Sequence, residues 1–206
     1  MSASASTHDS PIKHAAILGG FCLGFGAVLA VTYIITADAI RQRADDDKRT
    51  SLDQVIPAGI HDNNPLTDTL TVTGHEGKPV TVFRAARGKT ITALAYEIVG
   101  SGYAGEVRLM LGVDADGKVL GVRPLAHKET PGLGDKIEPS KTDWISRFTG
   151  LSLGNPPVEK WKVKKDGGQF DQFSGATITP RGVVGAIRAG LEFFAANKAR
   201  LLEVRG

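Results

Sequence analysis

The amino-acid sequence predicts an α+β protein, with an N-terminal transmembrane helix followed by one domain in which a mostly antiparallel sheet is packed by helices. Three observations carry this expectation. A charge-free apolar run extends from Ala15 to Ala37. Val107, Leu109, Leu111 and Val113 alternate, Asp114-Ala115-Asp116-Gly117 offers a turn, and Val119 to Leu125 returns, which is a hairpin pattern. The chain closes with Val183, Val184, Ile187, Leu191 and Phe194 along one side of a helix.

Each element follows from local chemistry. At a rise of ~1.5 Å per residue, the run 15–37 forms a helix about 34 Å long, enough for a hydrocarbon core of ~30 Å. Ala37-Asp38-Ala39 looks like a signal-peptide cleavage site, but a signal core spans only ~7–15 residues. The run is therefore read as an uncleaved anchor behind a short tail, residues 1–14. Gly20, Gly24 and Gly26 either build a helix-packing face or reflect the tolerance of membrane helices for glycine. Lys13 stands before the anchor; Arg41, Arg43, Lys48 and Arg49 stand after it, mixed with Asp38 and Asp45-Asp46-Asp47. Charge alone leaves the orientation open. Residues 38–60 read as a helical linker, helical from Ala39 to Val55 and stopped by Pro57 and Gly59, its acidic triplet a solvated face. The domain follows over residues 61–206. His61 to Pro65 is loop-like, and Leu70–Thr73, Val80–Ala85 and Thr90–Val99 are strand candidates separated by glycine-containing turns. Pro139-Ser140 opens a short helix with Trp144 and Phe148 one turn apart. Lys160–Lys164 reads as a strand, and Pro180 to about Leu202 as the terminal helix.

Several functions are excluded. With 41% hydrophobic and 23% charged residues the chain can bury a core, while a formal charge of +3 without a basic stripe argues against nucleic-acid binding. Cys22, inside the apolar run, is the one cysteine, so the domain has no disulfide, thiolate zinc site or cysteine-bound iron–sulfur cluster of its own. Gly100 to Gly105 matches G-x-G-x-x-G literally, but the alternation that follows is a strand, whereas a dinucleotide fingerprint requires a helix there. Asp114 to Gly117 resembles the opening of a calcium loop, with its glycine early and Leu125 where the closing glutamate belongs. His127 lacks a second histidine at metal-ligand spacing and reads as a surface or hydrogen-bonded side chain.

The run Asp171-Gln172-Phe173-Ser174-Gly175-Ala176-Thr177-Ile178-Thr179-Pro180 is different. Small residues at 174–177 allow close approach to the backbone. Ser174 and Thr177 offer hydroxyls, and Thr179-Pro180 forms a cap and first-turn pair. The run thus leads to the positive end of the terminal helix, where a phosphate is favoured. Arg181 and either Lys164 or Lys165 could add charge. An ordinary capped helix after a small-residue loop is the plainer alternative.

Asp171 to Thr177 fits D-x-x-[ST]-G-A-[ST] at every defined position, and resembles the signature of the FMN-binding domain family. Gly102-Tyr103-Ala104-Gly105, Glu129-Thr130-Pro131-Gly132-Leu133-Gly134 and Lys165-Asp166-Gly167-Gly168 resemble further family motifs in the expected order. From anchor to terminal helix, the chain is similar to the G subunits of Rnf electron-transport complexes. The C subunits of sodium-translocating NADH:quinone reductases share the domain and are the alternative. The resemblance implies FMN held covalently on Thr177 by a phosphoester, installed from FAD by a flavin transferase. It implies that Asp171, Ser174, Gly175 and Ala176 form the phosphate-proximal site, with Lys165 nearby. It also implies that Glu129, Thr130, Gly132, Leu133 and Gly134 lie against the flavin. Tyr103 would wall the pocket, hydrogen-bond or pack in its turn, Trp144 would stack near the flavin or belong to the core, and Thr179 would cap the helix. The implied role is electron relay, without independent substrate turnover, in an ion-translocating ferredoxin–NAD oxidoreductase. The expected setting is the bacterial inner membrane, single-pass, with the N-terminus cytoplasmic and the FMN domain periplasmic. Its partners would be a membrane flavoprotein and iron–sulfur subunits. A membrane-anchored flavin redox sensor is the reading from another class.

Overall fold

The computed structural model describes residues 11–74 and 77–203. The chain divides into two compact units, Met1–Asp47 and Lys48–Gly206. In the first, helix α1 (Pro11–Val55, which continues into the second unit) begins at a proline, whose missing N–H costs nothing in a first turn. Its segment Pro11–Ala37 is long and apolar enough to cross a membrane. The Thr32 and Thr36 hydroxyls donate at 2.8 Å to the carbonyls of Val28 and Thr32, satisfying polar groups within the apolar stretch. The helix thus starts within the expected 1–14 tail, of which residues 1–10 lie outside the described residues.

The second unit is built on five antiparallel strands in sequence order: β1 (Thr69–Thr73), β2 (Pro79–Arg87), β3 (Thr90–Ser101), β4 (Glu106–Asp114) and β5 (Val119–Ala126). Period-two alternation divides their side chains between two faces. Leu94, Tyr96, Ile98, Leu109, Leu111 and Val113 belong to the larger core with helix α2 (Ile178–Leu201). Ala85, Ala93, Ala95 and Met110 belong to a smaller core with Leu52 and Val55 from the end of α1 and Ile56 just after it. Small residues let that helix end come close: a Cβ on Gly121 would lie 3.0 Å from Val55 Cα, and one on Gly112 would strike the Val55 carbonyl. On the larger face, Tyr96 donates its hydroxyl to the Gly190 carbonyl at 2.8 Å, tying β3 to α2.

Three local expectations are corrected. Lys160–Lys164 is not a strand: 3-10 turns occupy Val158–Lys160 and Lys164–Asp166, with a lone parallel bridge from Val163 to Phe170. Trp161 and Val163 are buried alternately, as in a strand, but their backbone bonds stay local. The helix expected from Pro139 is a 3-10 turn over Trp144–Phe148, which still brings the two aromatic rings to 5.1 Å between centroids. The terminal helix begins at Ile178, so Thr179 lies in its first turn and is not the cap. Proline tolerates any of the first helical positions, where N–H groups have no intrahelical acceptor, so Pro180 did not fix the boundary.

Candidate functional site

Three stretches of chain meet at the start of α2: the β3–β4 turn, the loop 127–137 and the run 171–179. Glu129 is their junction. Its carboxylate is buried; Oε2 accepts a hydrogen bond from Thr179 Oγ1, and Oε1 accepts the Ala104 N–H at 3.0 Å. A buried carboxylate needs such donors to offset its lost hydration. Side chains at Gly102 or Gly134 would run into that carboxylate, which explains both glycines. The helix is pressed onto the sheet beside them: a Cβ on Gly100 would lie 2.7 Å from the Gly182 carbonyl, and one on Gly182 would strike the Ser101 carbonyl.

The run 171–177 is clamped at its other end by Asp171. Its carboxylate pairs with Lys164 at 2.6 Å and Arg147 at 3.0 Å, and its carbonyl accepts the Trp144 indole N–H at 2.8 Å. Lys164 first, and Arg147 second, hold the Asp171 carboxyl below the usual carboxylate range. Between the clamps the chain turns tightly. The Ala176 N–H donates to the Phe173 carbonyl at 3.1 Å, and Gly175 adopts φ +78°, a left-handed conformation suited to glycine. Ser174 and Gly175 are exposed at the tip. Thr177 stands half-buried at the cap position of α2, with φ −69° and ψ −26°, and its side chain makes no capping hydrogen bond. As in any helix start, the N–H groups of Ile178 and Thr179 have no acceptor one turn back.

The other candidates divide as follows. Leu133 is exposed, and its Cδ2 lies 3.6 Å from where a Cβ on Gly175 would stand, so the loop 129–134 reaches the tip of the run 171–177. Thr130 and Gly132 are exposed in the same loop, and Gly132 has φ +79°. Tyr103 is 74% exposed, which rules out packing within its turn. Trp144 takes the core alternative: it is 5% exposed, with Phe148 and Phe173 each at 5.1 Å. The Lys165 side chain is exposed, while its N–H donates to Gln172 Oε1 at 3.3 Å. Arg181 is committed to Asp166 at 2.6 and 2.8 Å. His127 is hydrogen-bonded, as expected: Nε2 lies 3.0 Å from Glu138, and Nδ1 accepts the Glu129 N–H at 3.2 Å. No group of three metal-ligating side chains occurs among the described residues. No motif or spacing pointed to Arg147, nor to the pairing of Glu129 with Thr179, which lie 50 positions apart.

These residues fit FMN. A hydroxyl with no capping bond and the N–H groups of a helix start suit a phosphate, and Leu133, beside Gly175, and Ile178, next to Thr177, are exposed apolar side chains. The fold and site thus define a cofactor-carrying α+β domain behind an apolar helix. Residues 102–192 match the FMN-binding domain family, and residues 1–55 match the RnfG N-terminal region. The G subunit of the ion-translocating oxidoreductase complex of Cereibacter sphaeroides is 48% identical over 94% of this chain and 89% of its own length. The G subunit from Shewanella loihica is 42% identical over 94% and 93%. The C subunit of the Na(+)-translocating NADH-quinone reductase from Parabacteroides distasonis shares the fold, with a TM-score of 0.53, 20% identity, and coverage of 82% of this chain and 97% of that one. The chain belongs to the family of ion-translocating oxidoreductase complex G subunits.

Proposed function

We propose that this chain is the membrane-anchored electron carrier of an Rnf-type complex, and that Thr177 holds its FMN as a phosphoester. The observation that carries the linkage is the contrast between two threonines. Thr177 stands at the helix start with no capping bond, whereas Thr179 is buried and donates to Glu129. In maturation by a flavin transferase, Thr177 Oγ displaces AMP from the FMN phosphorus of FAD. One Oγ–P bond forms, one P–O bond of the diphosphate breaks, and the hydroxyl proton passes to the transferase or water. Ile178 and Thr179 N–H groups and the α2 dipole favour the resulting phosphodiester. Asp171 holds the run through Lys164 and Arg147, while Leu133, Ile178 and Tyr103 supply apolar surface. Bound FMN would supply the redox chemistry, which the protein tunes by position and charge. The anchor would cross the inner membrane once, with the N-terminus cytoplasmic and the domain periplasmic. The partners would be a membrane flavoprotein and iron–sulfur proteins that together couple ferredoxin–NAD electron flow to ion movement.

Intact-mass measurement of the full chain produced with its transferase tests the linkage. The parent should gain one FMN less one water, and Thr177→Ala should gain nothing. Covalent flavin retained in Thr177→Ala refutes the site. Co-purification with the rest of the complex separates an electron carrier from a free-standing redox sensor.

A further inference from the structure

We infer that Glu129 selects the modified hydroxyl: by holding Thr179 inside the domain, it sets the first turn of α2 so that Thr177 is the one presented. This rests on the reading that Thr177 carries FMN. Both residues are secondary alcohols, two positions apart at a helix start, and local chemistry does not distinguish them. The fold does. Thr179 is fully buried, with its hydroxyl given to Glu129 Oε2. Successive helical residues turn by about 100°, so residues two apart diverge by about 200°. Thr177 already has helical dihedrals, so turning Thr179 inward turns Thr177 away from the core.

Glu129 suits this task because it is itself fixed. Its second oxygen takes the Ala104 N–H at 3.0 Å, which fastens it to the β3–β4 turn. Gly102 and Gly134 leave the space that its carboxylate fills. Being buried and bonded to Thr179, it is a positioning residue and not the base that deprotonates Thr177. The same contact assigns a purpose to the first residue of the Glu129–Gly134 loop other than facing the flavin.

The test uses the full-length chain as substrate for its flavin transferase, with FAD and Mg²⁺. Initial rates at several chain concentrations give kcat and KM, and peptide mapping locates the adduct. Glu129→Ala and Thr179→Val should each lower kcat about ten- to a hundredfold, the cost of a misplaced reacting group, with KM little changed. The double variant should be no slower than the slower single variant, because the two side chains act as one unit. Glu129→Gln should restore most of the rate: its amide oxygen can accept from Ala104, and its NH₂ can donate to Thr179 Oγ1. Parental kcat in either single variant, additive losses in the double variant, or a Gln variant no faster than the Ala variant would each overturn the inference. Should Glu129→Ala fail to fold, Thr179→Val, which keeps the side chain's shape, decides the question against Thr179→Ser. Adduct at Thr177 with parental kcat in the variants would sink only the role of Glu129, whereas covalent flavin in Thr177→Ala would sink the underlying site.

Discussion

The approach of α2 to the end of β3 makes a prediction with an internal control. A methyl group on Gly182 would strike the Ser101 carbonyl oxygen and stand 2.7 Å from its carbon, so backbone has to move. Overpacking of this kind costs roughly 1–3 kcal/mol. Replacing a helical glycine with alanine returns up to about 1 kcal/mol of helix propensity, and less near a helix end. Gly182→Ala is therefore expected to destabilise the domain by about 1–2 kcal/mol. Gly185 is exposed in the same helix and a Cβ there meets nothing within 4 Å, so Gly185→Ala should stabilise by roughly 0.5–1 kcal/mol. The difference of about 2 kcal/mol corresponds to a Tm gap on the order of 4–8 °C for a domain of this size. Full-length protein in detergent can be unfolded by heat or urea and followed by fluorescence of Trp144 and Trp161, both buried. Equal stability of the two variants, or a more stable Gly182→Ala, would refute the close contact. Because Gly182 lies in the opening turns of α2, close after the proposed acceptor Thr177, Gly182→Ala should also slow FMN incorporation, while Gly185→Ala should not.

Two predictions concern pH. The Asp171 carboxyl is held down by Lys164 first and Arg147 second, so its contribution is complete above the ordinary carboxyl pKa of about 4 and is lost as pH falls through the lower folded value. For a pair this open to solvent the effect is less than about 1 kcal/mol. Protection factors for amide hydrogen exchange across residues 170–177, corrected for the intrinsic rate at each pH, should therefore fall toward pH 3 in the parent, and Asp171→Asn should be less protected throughout with no such acid dependence. Burial pushes the Tyr96 phenol up, so its contribution is complete below the ordinary tyrosine pKa of about 10 and fades as pH rises above it. Tyr96→Phe should cost about 1 kcal/mol at neutral pH, through the lost bond to the Gly190 carbonyl, and should flatten the alkaline fall in stability seen by urea unfolding.

The sheet was legible because period-two alternation is a strong signal where strands follow one another through short turns. Asp114 to Gly117 illustrates this: Asp114 Oδ1 accepts the N–H groups of Asp116 and Lys118 at 2.9 and 2.8 Å, and the turn joins β4 to β5 as the residues imply. The same signal misled at Lys160–Lys164. Trp161 and Val163 alternate inward, but periodicity reports which side chains are buried and not whether a neighbouring strand is available to pair. The start of α2 was misplaced for a related reason. Thr179-Pro180 has the composition of a cap and first turn, yet the Thr179 hydroxyl has a stronger partner in Glu129, a residue from another part of the chain. Motifs that act within a few residues could be read from one sequence. Contacts that join Asp171 to Arg147 or Glu129 to Ala104 could not, because nothing local records them.

Those distant contacts explain why each position of the Asp171–Thr177 pattern has its own physical requirement. If Thr177 is the acceptor proposed above, its loop has to be open to a modifying enzyme, but an open loop is mobile, and each residue ordered costs on the order of 1–2 kcal/mol. The chain meets both demands by fixing the ends and leaving the middle open. Asp171 fixes one end through Lys164, Arg147 and the Trp144 indole, and Thr179 fixes the other through Glu129. Between them Ser174 and Gly175 stay small and exposed, and Gly175 takes the left-handed conformation that closes the turn. Ala176 faces a limit from the opposite side, since it is half-buried against the larger core and bridged to Phe173. A bulky side chain there would lift the turn off the core and carry Thr177 with it. On the proposal that Thr177 carries FMN, the two clamps would do different work: loss of the Asp171 clamp would loosen the approach to the acceptor, whereas loss of the Glu129 clamp would leave the loop ordered but turn the acceptor hydroxyl out of place.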